Sequence, residues 1–316
     1  MSAEITMTTP VWRHILRGIK ALFSTPPVGT GGTVSAEYCY SVYLRHLVIA
    51  DQHGLSTDPR TVVELGPGDS IGIGLMALLT GAEQYYAVDA VRHASSAKNL
   101  FIFDGLVKLL AVQAPIPSGG ELSEILPELD DYSFPSKVLN DARLTQALAR
   151  DRLSRLRMAL VSDLVTGPIL YHAPMGRMHE IPGNSVDLII SQAVMEHVDQ
   201  LEETYTECFR CLKPSGFMTH QIDLRCHDTA PEWNGHWKYA DLTWRLMRGG
   251  RPWFINRQPY STHNSLINQA GFKVHAEIKQ SACSDISRGQ LATRFKQLSE
   301  NDLTTAGVLV LASKSA

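Results

Sequence analysis

The sequence predicts an α/β protein built around a parallel sheet. The apolar run TVVEL (61–65) predicts a buried strand, and glycines at 66, 68, 72 and 74 lead from it into the helix-like IGIGLMALLT. A second strand, QYYAVDA, follows within about thirty residues, and two strands joined this closely through a helix form a parallel βαβ unit. Later strand signals at PILYHA, VDLIIS, GFMTHQIDL, FKVHAEI and GVLVLAS extend the sheet.

The segments outside this pattern predict an extension and two insertions. Helical spacing in SAEYCYSVYLRHLVIADQH (35–53) precedes the first strand, so we expect residues 1–58 to form an N-terminal helical extension. The main domain is then expected over 59–316. Two stretches that break the alternation of strands and helices, at about 104–160 and 225–260, are expected to be insertions in that domain.

Composition narrows the class of protein. The chain has 316 residues, of which 44% are hydrophobic and 19% charged, as in ordinary globular proteins. Its formal net charge of -3 provides no basic excess for phosphates, so no nucleic-acid partner is expected. The five cysteines are scattered and odd in number, which favours a reducing compartment and a cytoplasmic protein. Cys208 and Cys211 have half the spacing of a zinc site, but ETYTECFRCLK has helical spacing and no second pair follows.

The segment VWRHILRGIKALF (11–23) alternates basic and apolar residues. No apolar run in the sequence reaches the roughly 20 residues that a membrane span needs, and this segment lacks the long apolar block of a signal peptide. Two interpretations remain: a helix packed on the body of the protein, or one that rests on an anionic membrane surface.

The glycines after the first strand predict a ligand that approaches the main chain. GPGDSIG departs by one residue from the dinucleotide pattern G-x-G-x-x-G, because three residues separate Gly68 from Gly72. Asp89 ends the second strand about twenty residues later, where a carboxylate can accept hydrogen bonds from ribose hydroxyls. A turn-forming role at the end of a strand is the other interpretation of Asp89.

Four motifs in succession resemble those of class I S-adenosylmethionine-dependent methyltransferases. They are VVELGPGDSIG, the aspartate of YYAVDA, NSVDLIISQAVMEHV and FRCLKPSGFM. The resemblance covers about 60–105 and 168–224, and more loosely the tail from 261 to 313. It implies a Rossmann-like sheet of seven strands, mostly parallel with the last strand antiparallel, helices on both faces, and S-adenosylmethionine as cofactor.

The resemblance also implies which residues bind that cofactor. Those expected are Glu64, Gly66, Gly68, Asp69, Asp89, Met178, Ser191 and Gln192. One position departs from the family: an acidic residue often precedes IP and meets the adenine amino group, whereas this chain has APMGRMHEIPGNS. Arg177 or Met178 lies near that register, so backbone atoms and apolar contacts would hold the adenine, with Glu180 as a possible substitute.

A histidine is expected to remove the acceptor's proton, because its ordinary pKa lies near neutrality. His220 lies within the strand GFMTHQIDL and His227 just beyond it. Ligands of open α/β sheets bind beyond the carboxyl ends of the strands, so His227 and Asp223 are expected near the acceptor. His227 is the expected base, His220 the first alternative and His197 of the EHV motif the second. No metal is predicted; a loose site of Asp223, His227 and His236 is the alternative.

The second insertion carries four of the five tryptophans, Trp233, Trp237, Trp244 and Trp253. Indoles stack on sugar faces, but they also form the cores of small subdomains, and both interpretations remain. The expected acceptor-binding residues are His197, Trp233, Trp237 and His236. The first insertion carries several arginines, Arg143, Arg150, Arg152, Arg155 and Arg157, which form either a solvated helix face or a grip for phosphates.

These patterns predict O-methylation of a hydroxyl on a saccharide or another small polar acceptor. An aromatic or lipid natural product is the competing acceptor. The alternative functions are a nicotinamide-dependent oxidoreductase, which would share the glycine turn and the ribose acid, and a non-catalytic partner protein with a methyltransferase fold. The sequence does not predict an oligomeric state.

Overall fold

The computed structural model describes residues 9–24, 32–118, 122, 125–162, 164–251 and 253–314. Residues 1–8 and 25–31 of the expected N-terminal extension therefore lie outside the described residues.

Ten helices and seven strands occur in the described part of the chain. The helices are α1 (Val11–Ala21), α2 (Ala36–Gln52), α3 (Gly72–Leu79), α4 (Ser96–Ala111), α5 (Asp141–Ala147), α6 (Arg150–Leu160), α7 (Leu201–Cys211), α8 (Asp241–Arg248), α9 (Tyr260–Gln269) and α10 (Glu300–Thr304). The strands are β1 (Thr61–Leu65), β2 (Gln84–Val88), β3 (Ile169–His172), β4 (Val186–Gln192), β5 (Leu212–Asp223), β6 (Phe272–Ser281) and β7 (Thr305–Lys314).

The strands form one sheet in the order β3-β2-β1-β4-β5-β7-β6. The first five in that order pair in parallel, and β7 pairs antiparallel with both β5 and β6. The predicted seven-stranded sheet with an antiparallel last strand is thus confirmed. Parallel neighbours end at the same edge of the sheet, so the turns after β1, β2, β3, β4 and β5 lie along one rim.

Helices cover both faces of the sheet, because the central strands are apolar on both sides. In β1, Val62 packs in a buried cluster with α2, α3 and α4, whereas Val63 and Leu65 pack in a second cluster with α7 and α9. Strands that are buried on both faces have nearly continuous apolar sequences, and TVVEL is such a sequence. The helix α2 is capped by the Ser35 hydroxyl, which accepts a hydrogen bond from the Tyr38 amide, and most of its residues are buried.

The helix α1 packs against α8, in the second insertion. Gly18 permits this, since a Cβ there would lie 2.3 Å from the carbonyl oxygen of Leu246. Val11 and Ile15 pack on the small apolar cluster that contains Trp244. Of the two interpretations of the N-terminal segment, packing on the body is therefore observed for one face of α1. Within the described residues, no helix combines the length and apolar character needed to cross a bilayer.

Two arginines of the first insertion, Arg143 and Arg152, bind the protein's own main chain, and Arg157 pairs with Asp104. Nε of Arg143 donates to the carbonyl of Thr80 at 2.7 Å, and Nη2 of Arg152 donates to that of Leu78 at 2.9 Å. These carbonyls end α3, where cations stabilise a helix. Arg143 also pairs with Asp58, which precedes β1, so this surface lies at the rim opposite the glycine turn.

Candidate functional site

The turn after β1 brings bare main chain to the rim of the sheet. Gly66 has φ +63° and Gly68 has φ +72°, values that side chains other than glycine rarely adopt. A Cβ on Gly66 would lie 2.6 Å from Cγ2 of Val194, in the turn after β4. The turn is also fixed from outside: the Thr33 hydroxyl donates to the carbonyl of Pro67 at 2.8 Å. The backbone at Gly66 and Gly68 therefore has the conformation that glycine favours, and Thr33 supports the turn; binding of a ligand there stays a prediction.

Asp89 directly follows the neighbouring strand β2 and lies beside the glycine turn. Its Oδ2 accepts hydrogen bonds from the Gly68 amide at 3.3 Å and the Tyr171 hydroxyl at 3.1 Å, and its Oδ1 accepts one from the Ala90 amide at 2.7 Å. Burial raises the pKa of this carboxyl, and the three donors oppose that shift. A carboxylate offers about four acceptor sites, so the three bonds leave room for a ribose hydroxyl. The long Gly68 bond is the one that a ligand would displace most easily.

A cavity of about 400 Å³ opens beside Gly66 and Asp89. Its volume falls within the range of small-molecule sites, about 300–1,000 Å³. Met178, buried to 2% exposure, lines this cavity, and so do His197 and Trp253. The cavity therefore joins the residues expected to bind the cofactor to a residue expected to bind the acceptor.

The 3₁₀ turn Met175–Glu180 forms the end expected to receive the adenine. Met178 and the backbone at Gly176 line the cavity there. Glu180 instead accepts two hydrogen bonds from the Arg177 guanidinium, at 2.7 and 2.8 Å, and lies 3.4 Å from His172. This arrangement favours apolar and backbone contact with the adenine over a carboxylate contact.

Four other residues expected to bind the cofactor, Glu64, Asp69, Ser191 and Gln192, do not line this cavity. Glu64 is 1% exposed, and its Oε2 accepts hydrogen bonds from the Gly74 amide and the Tyr85 hydroxyl, at 3.0 and 2.6 Å. Burial raises the pKa of Glu64 to about 8. Asp69 forms an ion pair with Lys98 at 3.5 Å. Glu64 thus supports the start of α3, beneath the glycine turn.

Ser191 and Gln192, at the end of β4, contact histidines in the interior. The Ser191 hydroxyl lies 2.8 Å from Nδ1 of His220, and Oε1 of Gln192 lies 3.0 Å from Nε2 of His46 on α2. Both contacts hold the end of β4 to its neighbours. Binding of the cofactor by these two side chains stays a prediction.

His227 lies just after β5 and is not among the residues that line the cavity. Its φ is +46°, an unusual conformation that turns the chain sharply there, and its ring makes an edge contact with His197 at a centroid distance of 5.1 Å. Its Nε2 lies 3.7 Å from Oδ2 of Asp223. Burial alone would raise the pKa of Asp223, but hydrogen bonds from the Arg225 guanidinium outweigh it and lower that pKa. The structure therefore brings together three predicted residues, His227, Asp223 and His197.

His220 and His236 occupy interior positions. His220 is fully buried, and burial lowers its pKa to about 3. His236 is 1% exposed and packs against Trp237, with ring centroids 4.9 Å apart. Neither lines the cavity. His236 is also absent from the cluster of possible metal-binding groups around His227, which contains Glu196 and His197 instead.

Most of the tryptophans serve the second insertion itself. Trp237 is fully buried and its Nε1 donates to the carbonyl of Arg257 at 3.1 Å, whereas Trp233 packs on its edge. Trp244 belongs to the small cluster under α1. Trp253 lines the cavity, with φ +54° and an edge contact to His93 at 5.2 Å. Trp237 and Trp244 therefore form part of the core of the second insertion. Trp253 is the tryptophan of that insertion that lines the cavity.

Sequence reasoning missed Tyr171 and Glu196. Tyr171 lies near the end of β3, next to β2 and Asp89. The available signal was an aromatic hydroxyl on a strand expected to lie beside a predicted carboxylate. In the sequence, Glu196 is recognisable only as the acidic residue of the EHV motif. Its 3% exposure depends on how the turn after β4 folds back, which strand patterns do not reveal.

The comparisons with known proteins agree with this arrangement. A family model described as a methyltransferase domain matches residues 144–219, which include β3, β4 and the EHV motif. No match is found among curated proteins.

Solved structures with similar folds include three methyltransferases, all of low identity. A candidate sarcosine dimethylglycine methyltransferase from Galdieria sulphuraria is 10% identical, with TM-score 0.48, over 96% of this chain and 98% of the other. An S-adenosylmethionine-dependent methyltransferase from Mesorhizobium loti is 15% identical, with TM-score 0.38, over 81% and 91%. Phosphoethanolamine N-methyltransferase 2 from Haemonchus contortus, in complex with S-adenosyl-L-methionine, is 12% identical, with TM-score 0.43, over 95% and 57%.

The methyltransferase domain matched over residues 144–219, the sheet order with its single antiparallel strand, and the glycine turn paired with Asp89 agree with one another. The chain therefore contains a methyltransferase domain on a Rossmann-like fold, and it is an S-adenosylmethionine-dependent methyltransferase.

Proposed function

We propose that this methyltransferase methylates a hydroxyl oxygen of a small polar acceptor, with saccharides as the first class to test. The observation that carries the proposal is that His197 lines the cavity together with Gly66 and Asp89, and that the His227 ring contacts His197 at a centroid distance of 5.1 Å. Imidazoles act on the proton of a hydroxyl, and a hydroxyl must lose that proton when it is methylated.

Bound S-adenosylmethionine supplies a methyl group that is already electrophilic. The task of the protein is therefore to hold donor and acceptor in line, and the rigid groups at the rim serve it. Asp89 offers its carboxylate to the ribose, and the Gly66 main chain admits the cofactor without a side chain between them. Val194 packs on Gly66 and closes the cavity floor.

The acceptor would lie between His227 and Trp253. His227 has a side chain about one-third exposed, so a ligand can reach it, whereas His220 is enclosed by the core. The Trp253 indole offers a flat apolar face of the kind that stacks on sugars. A polar acceptor with a hydroxyl fits this combination.

The test is a transfer assay with S-adenosylmethionine that carries a trideuterated methyl group. Acceptor panels of sugars, catechols, amines and thiols are incubated separately, and mass spectrometry identifies both the product and the methylated atom. We expect ethers on hydroxyl acceptors. Methylation confined to nitrogen or sulfur would overturn the proposal.

We also propose that the outer face of α1 contacts an anionic membrane surface. Its large apolar side chains are exposed although the inner face is packed; they are Trp12, Leu16, Ile19, Leu22 and Phe23, and Leu242 and Leu246 of α8 lie nearby. Arg13, Arg17 and Lys20 accompany them, and α1 contains no acidic residue. Apolar side chains flanked by cations are typical of helices that lie on anionic lipid.

A further inference from the structure

Glu196 has a buried carboxyl group with no hydrogen-bond partner among the described residues. It is 3% exposed, and neither carboxylate oxygen has a hydrogen-bond partner in the described part of the chain. Burial raises the pKa of Glu196 well above its ordinary value, and the amides of Glu196 itself and of Asp223, with the charge of Arg225, oppose that shift. A buried carboxyl without a partner keeps its proton unless a cation binds in the proton's place, so an ionised Glu196 requires a bound cation.

The backbone holds this carboxylate in place. Nδ2 of Asn256 donates to the carbonyls of Met195 and Val198, at 2.9 and 2.8 Å, and the Asn256 amide donates to the carbonyl of Glu196 at 2.7 Å. One residue of the second insertion thus clamps the turn after β4. A clamp of this kind is what a prearranged binding site needs.

Two imidazoles lie close to the Glu196 carboxyl. One ligand atom each from Glu196, His197 and His227 lie within 4.8 Å of one another. Nδ1 of His197 is also buried and has no hydrogen-bond partner among the described residues. The neighbouring carboxylate, Asp223, is already bound by the Arg225 guanidinium, whereas the Glu196 carboxyl has no hydrogen-bond partner among the described residues.

We infer that Glu196, His197 and His227 bind a divalent cation of the Mn²⁺, Fe²⁺ or Zn²⁺ type, which in turn binds the acceptor hydroxyl. Two imidazoles and a carboxylate suit such cations better than Mg²⁺ or Ca²⁺, which prefer oxygen ligands. Ligands about 2.1 Å from one cation lie at most about 4.2 Å apart, so side-chain movements of about 1 Å close the site. Three protein ligands leave positions open for substrate oxygen.

This inference rests on the proposed hydroxyl methylation and refines its proton step. The acceptor hydroxyl would bind the cation, which lowers the hydroxyl pKa, and the proton would leave to solvent. The oxygen then forms a bond to the methyl carbon as the carbon–sulfur bond breaks, giving a methyl ether, S-adenosylhomocysteine and one proton. His227 then acts as a ligand rather than as a free base.

The direct test is cation binding without any methyl transfer. The full chain, freed of metal with a chelator that is then removed by dialysis, is titrated with Co²⁺ and Mn²⁺. Calorimetry gives the stoichiometry, and the visible Co²⁺ absorption reports the ligands. We expect one cation per chain. Glu196→Gln and His227→Gln should each weaken binding at least about 10-fold. His53→Gln, an exposed histidine distant from the site on the chain, is the matched control and should bind as the parent does.

Folding of the variants is checked by thermal unfolding in chelator. Glu196→Gln should unfold at the same temperature as the parent or higher, because it replaces a buried carboxyl with a neutral amide. The added cation should raise the unfolding temperature of the parent but not that of the variant. Absence of stoichiometric binding, or equal binding by folded Glu196→Gln, would overturn the metal site.

The two proposals fail separately. Hydroxyl methylation that continues at full rate in chelator overturns the cation and leaves O-methylation standing, with His227 as a free base. A tightly bound cation in a protein that methylates only amines or thiols overturns the hydroxyl acceptor instead. Loss of hydroxyl methylation in chelator, restored by Mn²⁺ in the parent but not in Glu196→Gln, supports both.

Discussion

The Tyr171 hydroxyl donates a hydrogen bond of 3.1 Å to Oδ2 of Asp89, across the adjacent ends of β3 and β2. This bond fixes the orientation of Asp89, whose side chain would otherwise rotate. The same oxygen accepts the Gly68 amide, so three turns of the rim meet at one carboxylate.

Asp89→Ala should weaken S-adenosylmethionine binding by about 1–3 kcal/mol, because ribose hydroxyls lose their acceptor. Isothermal calorimetry measures the change. Asp58→Ala, at the opposite rim, removes an aspartate of similar charge and should leave the affinity unchanged. If Asp89→Ala binds S-adenosylmethionine as tightly as the parent does, this carboxylate does not bind the cofactor.

Gly66→Ala should abolish cofactor binding, because its methyl group would meet the stiff, β-branched Val194. Gly54→Ala is the matched control, since Gly54 has φ +71° and nothing lies within 4 Å of its added Cβ. Both variants should lose about 1–2 kcal/mol of folding stability from the positive φ, and Gly66→Ala should lose more because its methyl group overlaps Val194. Only Gly66→Ala should lose binding; if Gly54→Ala loses as much, strain alone explains the effect.

His227→Gln should lower kcat about 100-fold or more and leave the Kd of S-adenosylmethionine nearly unchanged. The reason is that, in our proposal, His227 acts on the acceptor, either as a ligand or as a base. Single-turnover transfer rates and calorimetry separate the two quantities. If His220→Gln, with its folding verified, abolishes turnover while His227→Gln does not, the proton is removed at His220.

Glu64→Gln should change how stability depends on pH. Burial raises the pKa of Glu64 to about 8 in the folded protein, above the ordinary value of 4.5. The folded state therefore holds the proton more tightly, and this stabilisation is full below about pH 4.5 and lost as the pH rises through about 8. The unfolding free energy of the parent should fall relative to Glu64→Gln over that range. Parallel pH curves from urea unfolding would contradict the assignment.

The double variant Leu16→Ser, Leu22→Ser should lose binding to vesicles that contain phosphatidylglycerol. These side chains are 55% and 61% exposed on α1, and their loss removes the apolar contact with lipid. Met158→Ser, Val161→Ser is the control, because those residues are 70% and 63% exposed elsewhere. Co-sedimentation with anionic and neutral vesicles measures the effect, and equal sedimentation of both double variants would exclude α1 as the contact.

The sheet and the glycine turn could be predicted because they depend on local pattern. Buried parallel strands are apolar throughout, and Gly66 and Gly68 mark the close approach directly in the sequence. The placement of Asp89 followed from its position at the end of the next strand.

The acceptor side could not be predicted in the same way. Its residues come from the turn after β4 and from the second insertion, which meet only through contacts such as that of Asn256 with Met195. Composition shows four tryptophans in that insertion but not that Trp237 is buried and Trp253 lines the cavity. The difference between a core indole and a binding indole is set by tertiary packing.

The most direct test of the account is a calorimetric titration of the full chain with S-adenosylmethionine and, in parallel, with NAD and NADP. We predict that the protein binds one S-adenosylmethionine saturably and binds neither NAD nor NADP. Binding of NAD or NADP, with no heat from S-adenosylmethionine, would contradict it.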